Sequence, residues 1–428
     1  VYLKKSIVNM RSCILFRSQI FLMIVAFLVL AACARNPVTG KQEFMLIYEE
    51  QEIAMGQQSK ASAIAQYGIY SDEDLQRYLQ EKGQAIARIS HRPDLNWEFY
   101  VMDSPVVNAF AAPGGFVFFT RGILAHFNNE AQLMGVMGHE IGHVTARHSA
   151  GQLSKQQLTQ IGMVAGMIIS PQVAQMADVL GQGAQLLFLK FSRDDETQSD
   201  RLGVEYSTRL RYDATELAEF FHTLHRQSSG GSSIPSFFST HPDPVDRNEK
   251  VKRLAQEWQQ ELNVPDSELR IGRDEYLRLI DGIVYGEDPR QGYFEGSRFY
   301  HPELKFQFPV PSGWQTQNTP SRVAMVNQNQ SAGIILQLAK SKTSPRDAAQ
   351  QAVQNYQLTV RESNERQVNG LPAFYVVGDI QEQGGQSLRL LIYEIKYGDL
   401  IYEFIGFSDV SAFGNYSRTF QSVMEGFS

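Results

Sequence analysis

The spacing of apolar positions changes along the chain and predicts regions of different structure. An uninterrupted apolar run covers residues 20–32. Residues 46–285 contain stretches whose apolar positions recur every three or four residues, which predicts helices, while residues 97–102 and 115–120 are typical of strands. From residue 293 onward, apolar and polar residues alternate in several segments. We therefore expect a mainly α domain with a small sheet, followed by an α+β domain with an antiparallel sheet.

The second region also carries the turn signals of an antiparallel sheet. Asn369-Gly370, Gly384-Gly385 and Gly398-Asp399 separate segments of alternating pattern, and such pairs are typical of tight hairpins. Helical spacing is confined to residues 344–358 and 411–424. These features predict a C-terminal α+β accessory domain over residues 293–428.

The start of the chain has the pattern of a secretory signal. Basic residues precede the apolar run of residues 20–32, which is too short for a comfortable membrane span of about 20 residues. The run ends in "LAAC", which resembles the bacterial lipoprotein box. We expect residues 1–32 to be a lipoprotein signal peptide, Cys33 to be the lipidated residue and residues 33–45 to be a polar tether. A plain signal peptide with a chance cysteine is the alternative.

Lipid attachment would also fix the compartment. Arg35 does not match the aspartate that retains such lipoproteins at the inner membrane, which favours the periplasmic face of the outer membrane of a Gram-negative bacterium. Cys13 and Cys33 are the two cysteines of the sequence. Cys13 would leave with the signal and Cys33 would be lipidated, so we expect no disulfide.

Composition excludes one class of partner and leaves the others open. The chain is 43% hydrophobic and 20% charged, as in soluble globular proteins. Its formal net charge is −7, so nucleic acid is not an expected partner.

The segment "GVMGHEIGHVTARHSA" (residues 135–150) carries the candidate chemistry. His139 and His143 are four residues apart, so on a helix they share a face and can bind one zinc ion through two imidazoles. Glu140 lies beside the pair, where it can take a proton from the attacking water. His148 does not fit the metzincin spacing, so we expect it on the helix surface or in support of the site.

A third zinc ligand is expected from "SRDDETQSD" (residues 192–200). Glu196 and Asp200 are four residues apart and would face the same way on a helix. Glu196 would complete a site of two histidines and one glutamate. Asp200 would accept a hydrogen bond from a liganding histidine and fix its orientation. For Asp194 and Asp195, a solvated acidic run is the better interpretation.

Three motifs, "HEIGH", "SRDDETQSDRLG" and "STHPDPVDR", occur in the order found in a gluzincin family of zinc metallopeptidases, which this sequence resembles over roughly residues 43–254. The family includes the type I CAAX prenyl proteases, the bacterial heat-shock membrane proteases, and periplasmic lipoprotein relatives such as the β-barrel assembly-enhancing protease. The resemblance implies a zincin-like catalytic domain over residues 46–285 and one Zn²⁺ per chain. It also implies that His241 is an oxyanion stabiliser or a fourth ligand, with Arg247 assisting. A histidine that only caps the following helix is the alternative.

The expected function is that of a zinc-dependent metalloendopeptidase of protein quality control. It would hydrolyse unfolded or misassembled envelope proteins while anchored to the membrane by lipid, beside components of outer-membrane protein assembly. The alternative is a non-catalytic or latent zinc-binding scaffold lipoprotein. We expect an extended substrate to pair with the strand around residues 116–119. The given sequence shows no pattern of helical repeats like that of the assembly-enhancing relative, and its C-terminal domain resembles the PsbP fold through "FQFPVPSGW" (residues 306–314).

Overall fold

The computed structural model describes residues 33–166, 189–229, 237–241, 247–341, 343–381 and 387–428. The predicted signal peptide and the predicted Gly384-Gly385 turn lie outside these residues. Within the described ranges, no helix combines the length and the apolar character that a membrane crossing requires.

Helices dominate the first region, as the sequence predicts. They are α1 (Glu49–Tyr67), α2 (Glu73–Ile89), α3 (Arg121–Leu124), α4 (Glu130–Thr145), α5 (His148–Gly166), α6 (Arg193–Arg209), α7 (Glu216–Ser229), α8 (Phe237–Thr240), α9 (Arg247–Glu261) and α10 (Arg273–Leu279). A helical pattern between residues 46 and 79 is divided into α1 and α2 at Gly68, whose φ of 70° ends α1. Helix α2 begins with a capping bond from the Leu75 N–H to the Asp72 side chain.

A three-stranded sheet lies beside these helices. Its strands are β3 (Glu98–Met102), β4 (Ala109–Ala112) and β5 (Phe116–Thr120), in the order β3-β5-β4. β5 pairs in parallel with β3 and antiparallel with β4, so it is the central strand. The prediction that a substrate pairs with residues 116–119 is therefore wrong. All five residues of β5 are buried, as expected of a central strand.

Helix α4 is buried around its whole circumference and packs closely on α6. Glycines allow the close approach: a Cβ on Gly203 would lie 2.9 Å from the Gly135 carbonyl oxygen and 3.0 Å from the His139 amide nitrogen. Distances this short exclude any side chain unless the backbones move apart. The two helices that carry the predicted zinc ligands are thus held nearly backbone to backbone.

The segment predicted to be a tether is folded. Strands β1 (Cys33–Arg35) and β2 (Gln42–Phe44) form an antiparallel hairpin. Asn36 is buried, and its side-chain amide donates to the Ala146 carbonyl at 3.3 Å, at the end of α4. Met45 and Ile47 pack against α5. The hairpin therefore lies against the α4–α5 junction, because its polar turn satisfies its own backbone while the following apolar residues are buried.

The second region is built on two antiparallel sheets. Its elements are β6 (Tyr293–Glu295), β7 (Arg298–His301), β8 (Phe306–Pro309), β9 (Gln315–Thr319), β10 (Arg322–Val326), β11 (Ala332–Leu338), α11 (Pro345–Asn355), β12 (Thr359–Val368), β13 (Leu371–Gln381), β14 (Ser387–Tyr397), β15 (Leu400–Asp409) and α12 (Phe413–Glu425). The larger sheet has seven strands in the order β12-β13-β14-β15-β11-β10-β9, and the smaller has three in the order β6-β7-β8. The predicted Asn369-Gly370 turn joins β12 to β13, with positive φ angles of 48° and 81°.

Each region has its own hydrophobic core. The main core of the first region collects side chains between residues 70 and 276, and that of the second collects side chains between residues 299 and 427. Ser321 joins the two regions, because its hydroxyl donates to the Ala65 carbonyl at 2.8 Å. The buried Arg121 guanidinium holds the end of the first region by donating to the carbonyls of Val284 and Gly286 at 2.6 Å.

Candidate metal centre

Four side chains from three segments converge at the α4–α6 contact. His139 and His143 lie on α4, Glu196 lies on α6, and His241 follows α8. Each offers one ligand atom, and these atoms all lie within 4.8 Å of one another. All four residues are at most 2% exposed. The structure thus brings the three predicted zinc ligands together and adds His241 to the same cluster.

The distances place the four ligand atoms around one point. The Nε2 atoms of His139 and His143 are 3.0 Å apart. Glu196 Oε1 lies 3.4 Å from His143 Nε2, and Glu196 Oε2 lies 3.6 Å from His139 Nε2. His241 Nδ1 lies 3.0 Å from Glu196 Oε1.

Asp200 and Arg247 lie behind His139. Asp200 Oδ1 is 2.9 Å from His139 Nδ1, which is the contact predicted from the sequence. Arg247 donates to both oxygens of Asp200, from Nε at 2.8 Å and Nη2 at 2.7 Å. Its Nη2 also lies 3.2 Å from Glu196 Oε2, and its guanidinium covers the Phe221 ring at 3.9 Å. These contacts hold two carboxylates in position, and the predicted oxyanion role of Arg247 stays a prediction.

Glu140 is buried beside the cluster without a hydrogen-bond partner. Neither of its carboxylate oxygens has such a partner among the described residues, and its side chain is fully buried. Its nearest ion-pair contact is His241 Nε2, 3.5 Å from Oε1. An unsatisfied buried carboxylate is costly, so its presence next to potential metal ligands points to a function in chemistry.

Two aromatic rings cover the histidines, and no sequence pattern predicts either of them. Phe191 stacks on His143 with ring centroids 3.9 Å apart, and Phe237 stacks on His241 at 4.5 Å. The backbone N–H of Phe191 donates to the Thr240 carbonyl at 3.2 Å. The two segments are therefore joined where they meet the cluster.

The electrostatics of the cluster keep its parts in definite charge states. Burial holds the pKa of His143 well below its ordinary value, so its imidazole is neutral, as a metal ligand must be. Burial opposes ionisation of Glu196, but the charge of His241 and the contacts with His143 and His241 hold its pKa well below the usual range. Burial raises the pKa of Glu140.

This donor set fits zinc. Imidazole nitrogens and a carboxylate are typical zinc ligands, and three protein ligands leave a position for chemistry. Glu196 Oε2 and His241 Nε2 are buried and have no hydrogen-bond partner within the described residues, as expected of groups that serve an ion or a reaction.

Comparisons with known proteins agree with this chemistry. Residues 73–255 match the model of peptidase family M48. The chain is 32% identical over 219 residues to the β-barrel assembly-enhancing protease of Yersinia pestis, a match that covers 48% of this chain and 44% of the relative. It is 30% identical over 207 residues to the mitochondrial metalloendopeptidase OMA1 of Arabidopsis thaliana, covering 48% and 40%. The chain thus matches less than half the length of these relatives.

A solved structure offers a weaker likeness. The cyanobacterial PsbP of Synechocystis aligns with 33% of this chain and 97% of its own, at 10% identity and a TM-score of 0.28. A TM-score this low does not identify the fold, so the predicted PsbP-like fold stays a prediction.

Proposed function

Because residues 73–255 match the model of peptidase family M48, we propose that the chain is a zinc-dependent endopeptidase that cleaves unfolded or misassembled proteins of the bacterial envelope. The observation that carries the proposal is the convergence of His139, His143 and Glu196 on one point, with Glu140 unpartnered beside them. A non-catalytic zinc-binding scaffold would not require a buried carboxylate without a hydrogen-bond partner at position 140.

The side chains have separable tasks in the proposed reaction. His139, His143 and Glu196 would hold zinc, which when bound supplies a Lewis acid that polarises the scissile carbonyl. Glu140 takes a proton from the attacking water and passes it to the leaving amine. Burial raises the pKa of Glu140, which strengthens the carboxylate as a proton acceptor. His241 Nε2, which faces Glu140, donates to the oxyanion.

We assign the binding of an extended substrate to strand β4. β4 is an edge strand of the small sheet, and it packs against α4, which carries Glu140. An extended peptide could add to β4 by backbone hydrogen bonds, with its scissile bond near the cluster.

The envelope location rests on the N-terminal pattern. The "LAAC" motif supports lipid attachment at Cys33, which would place the enzyme at the periplasmic face of the outer membrane, near assembling outer-membrane proteins. The second region would then dock a substrate or a partner. A Cys33→Ser variant is expected to move from the membrane fraction to the soluble fraction.

The alternative is a latent site in which His241 fills the fourth ligand position. The placement of His241 Nδ1 within the ligand group favours latency as a state of the enzyme. If His241 acts mainly as a lock, His241→Ala raises cleavage, and if it acts mainly on the oxyanion, His241→Ala lowers it.

Cleavage of an unfolded protein such as reduced casein tests the proposal. The zinc-loaded protein is expected to cleave it, and a chelator should stop the reaction. Glu140→Gln should retain zinc and lose about 10²–10⁴-fold in rate, because the general base is gone. Glu257→Gln makes the same change at an exposed position of α9 and should cleave normally. Cleavage by Glu140→Gln at the wild-type rate would refute the mechanism.

A further inference from the structure

The two histidines on α4 have different kinds of hydrogen-bonding partner at Nδ1, the ring nitrogen that faces away from the ligand group. His139 has the carboxylate of Asp200 at its Nδ1. His143 has a second imidazole: its Nδ1 lies 3.0 Å from Nδ1 of His148, and His148 Nε2 lies 2.9 Å from Oε1 of Gln198. His148 is only 7% exposed, so water does not readily replace these partners.

The contacts fix the direction of each hydrogen bond. Gln198 Oε1 can only accept, so His148 Nε2 must carry the hydrogen. A neutral imidazole has one N–H, so His148 Nδ1 is an acceptor and takes the hydrogen of His143 Nδ1. The lone pair of His143 is then on Nε2, the atom that faces Glu196 and His139.

We propose that His148 and Gln198 form a neutral positioning relay that presents His143 Nε2 to the metal, as Asp200 and Arg247 do for His139. This inference rests on the proposed function, because it assumes a zinc ion at the cluster. His148 and Gln198 touch neither the substrate nor the reacting atoms, so both are positioning residues.

The local backbone explains how His148 reaches this place. α4 ends at Thr145, and Arg147 then adopts a left-handed conformation with φ of 60°, which turns the chain before α5 begins at His148. A non-glycine residue in this conformation is strained and needs compensation. The Arg147 side chain compensates for this strain by donating hydrogen bonds to Glu52 at 2.5 Å and to the Ile47 carbonyl at 2.8 Å. These two hydrogen bonds therefore stabilise the turn that places His148 beside His143.

Two other polar groups lie near the ring nitrogens of His148, one at each nitrogen. Asp195 Oδ1 lies 3.7 Å from His148 Nε2, and the Ser199 hydroxyl lies 3.4 Å from its Nδ1. Both distances exceed those of the relay contacts. The relay places no net charge beside His143, whereas Asp200 places a carboxylate beside His139. The hydrogen bond at Nδ1 is therefore stronger for His139 than for His143.

Zinc retention in competition with a colorimetric chelator tests the relay without measuring catalysis. His148→Leu removes the acceptor and should weaken zinc affinity about 10–100-fold, the usual effect of losing a partner of a liganding histidine. His148→Gln restores an acceptor for the His143 N–H and should recover most of the loss. His222→Leu removes an exposed histidine of α7 and should retain zinc as the wild type does.

Position 198 tests the direction of the hydrogen bonds. Gln198→Glu keeps an acceptor and should retain zinc at least as well as the wild type, while Gln198→Met keeps the size, removes the acceptor and should release zinc faster. Histidine ¹⁵N spectra of the zinc-loaded protein should show His148 protonated at Nε2 and His143 at Nδ1. These measurements also decide the case if His148→Leu does not fold.

The failures of the relay and of the proposed function are distinguishable. A wild-type protein that binds no zinc refutes the proposed function. A wild type that binds zinc, with Gln198→Met and Gln198→Glu releasing it at equal rates, or with the opposite tautomer at His148, overturns the relay alone.

Discussion

Buried carboxylates cluster in both regions of the molecule, and their surroundings differ. In the first region, Glu196 and Asp200 are at most 4% exposed and face histidines and Arg247. In the second, the fully buried Glu394 on β14 lies directly across from Glu403 on β15, and neither oxygen of Glu394 has a hydrogen-bond partner among the described residues. Glu403 accepts hydrogen bonds from Gln337 and Tyr356 instead.

The surroundings decide what each cluster needs. Arg247 and His139 lower the pKa of Asp200 against the effect of burial, so the first cluster stays anionic. Burial and the neighbouring Glu403 raise the pKa of Glu394 to about 10, so the second cluster keeps a proton. Two like charges side by side in a low dielectric cannot both ionise easily. Buried acids therefore suggest a metal site only where cationic or imidazole partners surround them.

The largest expected effect is that of removing the charge of Asp200. Asp200→Asn leaves the buried Arg247 guanidinium without its main counter-charge, which costs on the order of 3–5 kcal/mol. It also loses the acceptor that orients His139, so zinc affinity should fall about 10–100-fold. Thermal unfolding and chelator competition measure the two losses. Unchanged zinc retention would mean that His139 is oriented without Asp200.

The same kind of substitution should have the opposite effect in the second region. Glu394→Gln cannot ionise, and its amide can donate to Glu403, so the variant should be more stable above neutral pH. The expected gain is on the order of 1 kcal/mol at pH 8, or roughly 4 °C in the midpoint of the accessory domain. Destabilisation at pH 8 would contradict the assignment of a retained proton to Glu394.

The pH dependence of the second region has a definite sign. The folded pKa of Glu394, about 10, lies above its ordinary value of 4.5, so its contribution to stability is full below pH 4.5 and is lost as pH rises toward 10. Unfolding of the wild type between pH 5 and 9 should show stability falling with pH, and the slope should be smaller in Glu394→Gln. A wild type whose stability rises over this range would contradict the sign.

Local patterns predicted most of the site, and non-local geometry supplied the rest. The Asn129 side chain caps α4, a start signal that lies next to the helix in the sequence, and the i,i+4 spacing of Glu196 and Asp200 places both toward α4. For His148 the sequence left both the helix surface and support of the site open, because its contact with His143 depends on the turn at Arg147 after α4 has ended. Strand order was also beyond local patterns, since the central place of β5 is set by its partners.

The metal content of the purified protein tests the central claim most directly. Wild type and Glu196→Gln would be incubated with zinc, dialysed side by side and analysed by mass spectrometry for metal. We expect one zinc per chain in the wild type and a large loss in Glu196→Gln, since that carboxylate joins the two α4 imidazoles. A wild type without zinc, or a variant that retains it equally, would contradict the convergence of these side chains on one ion.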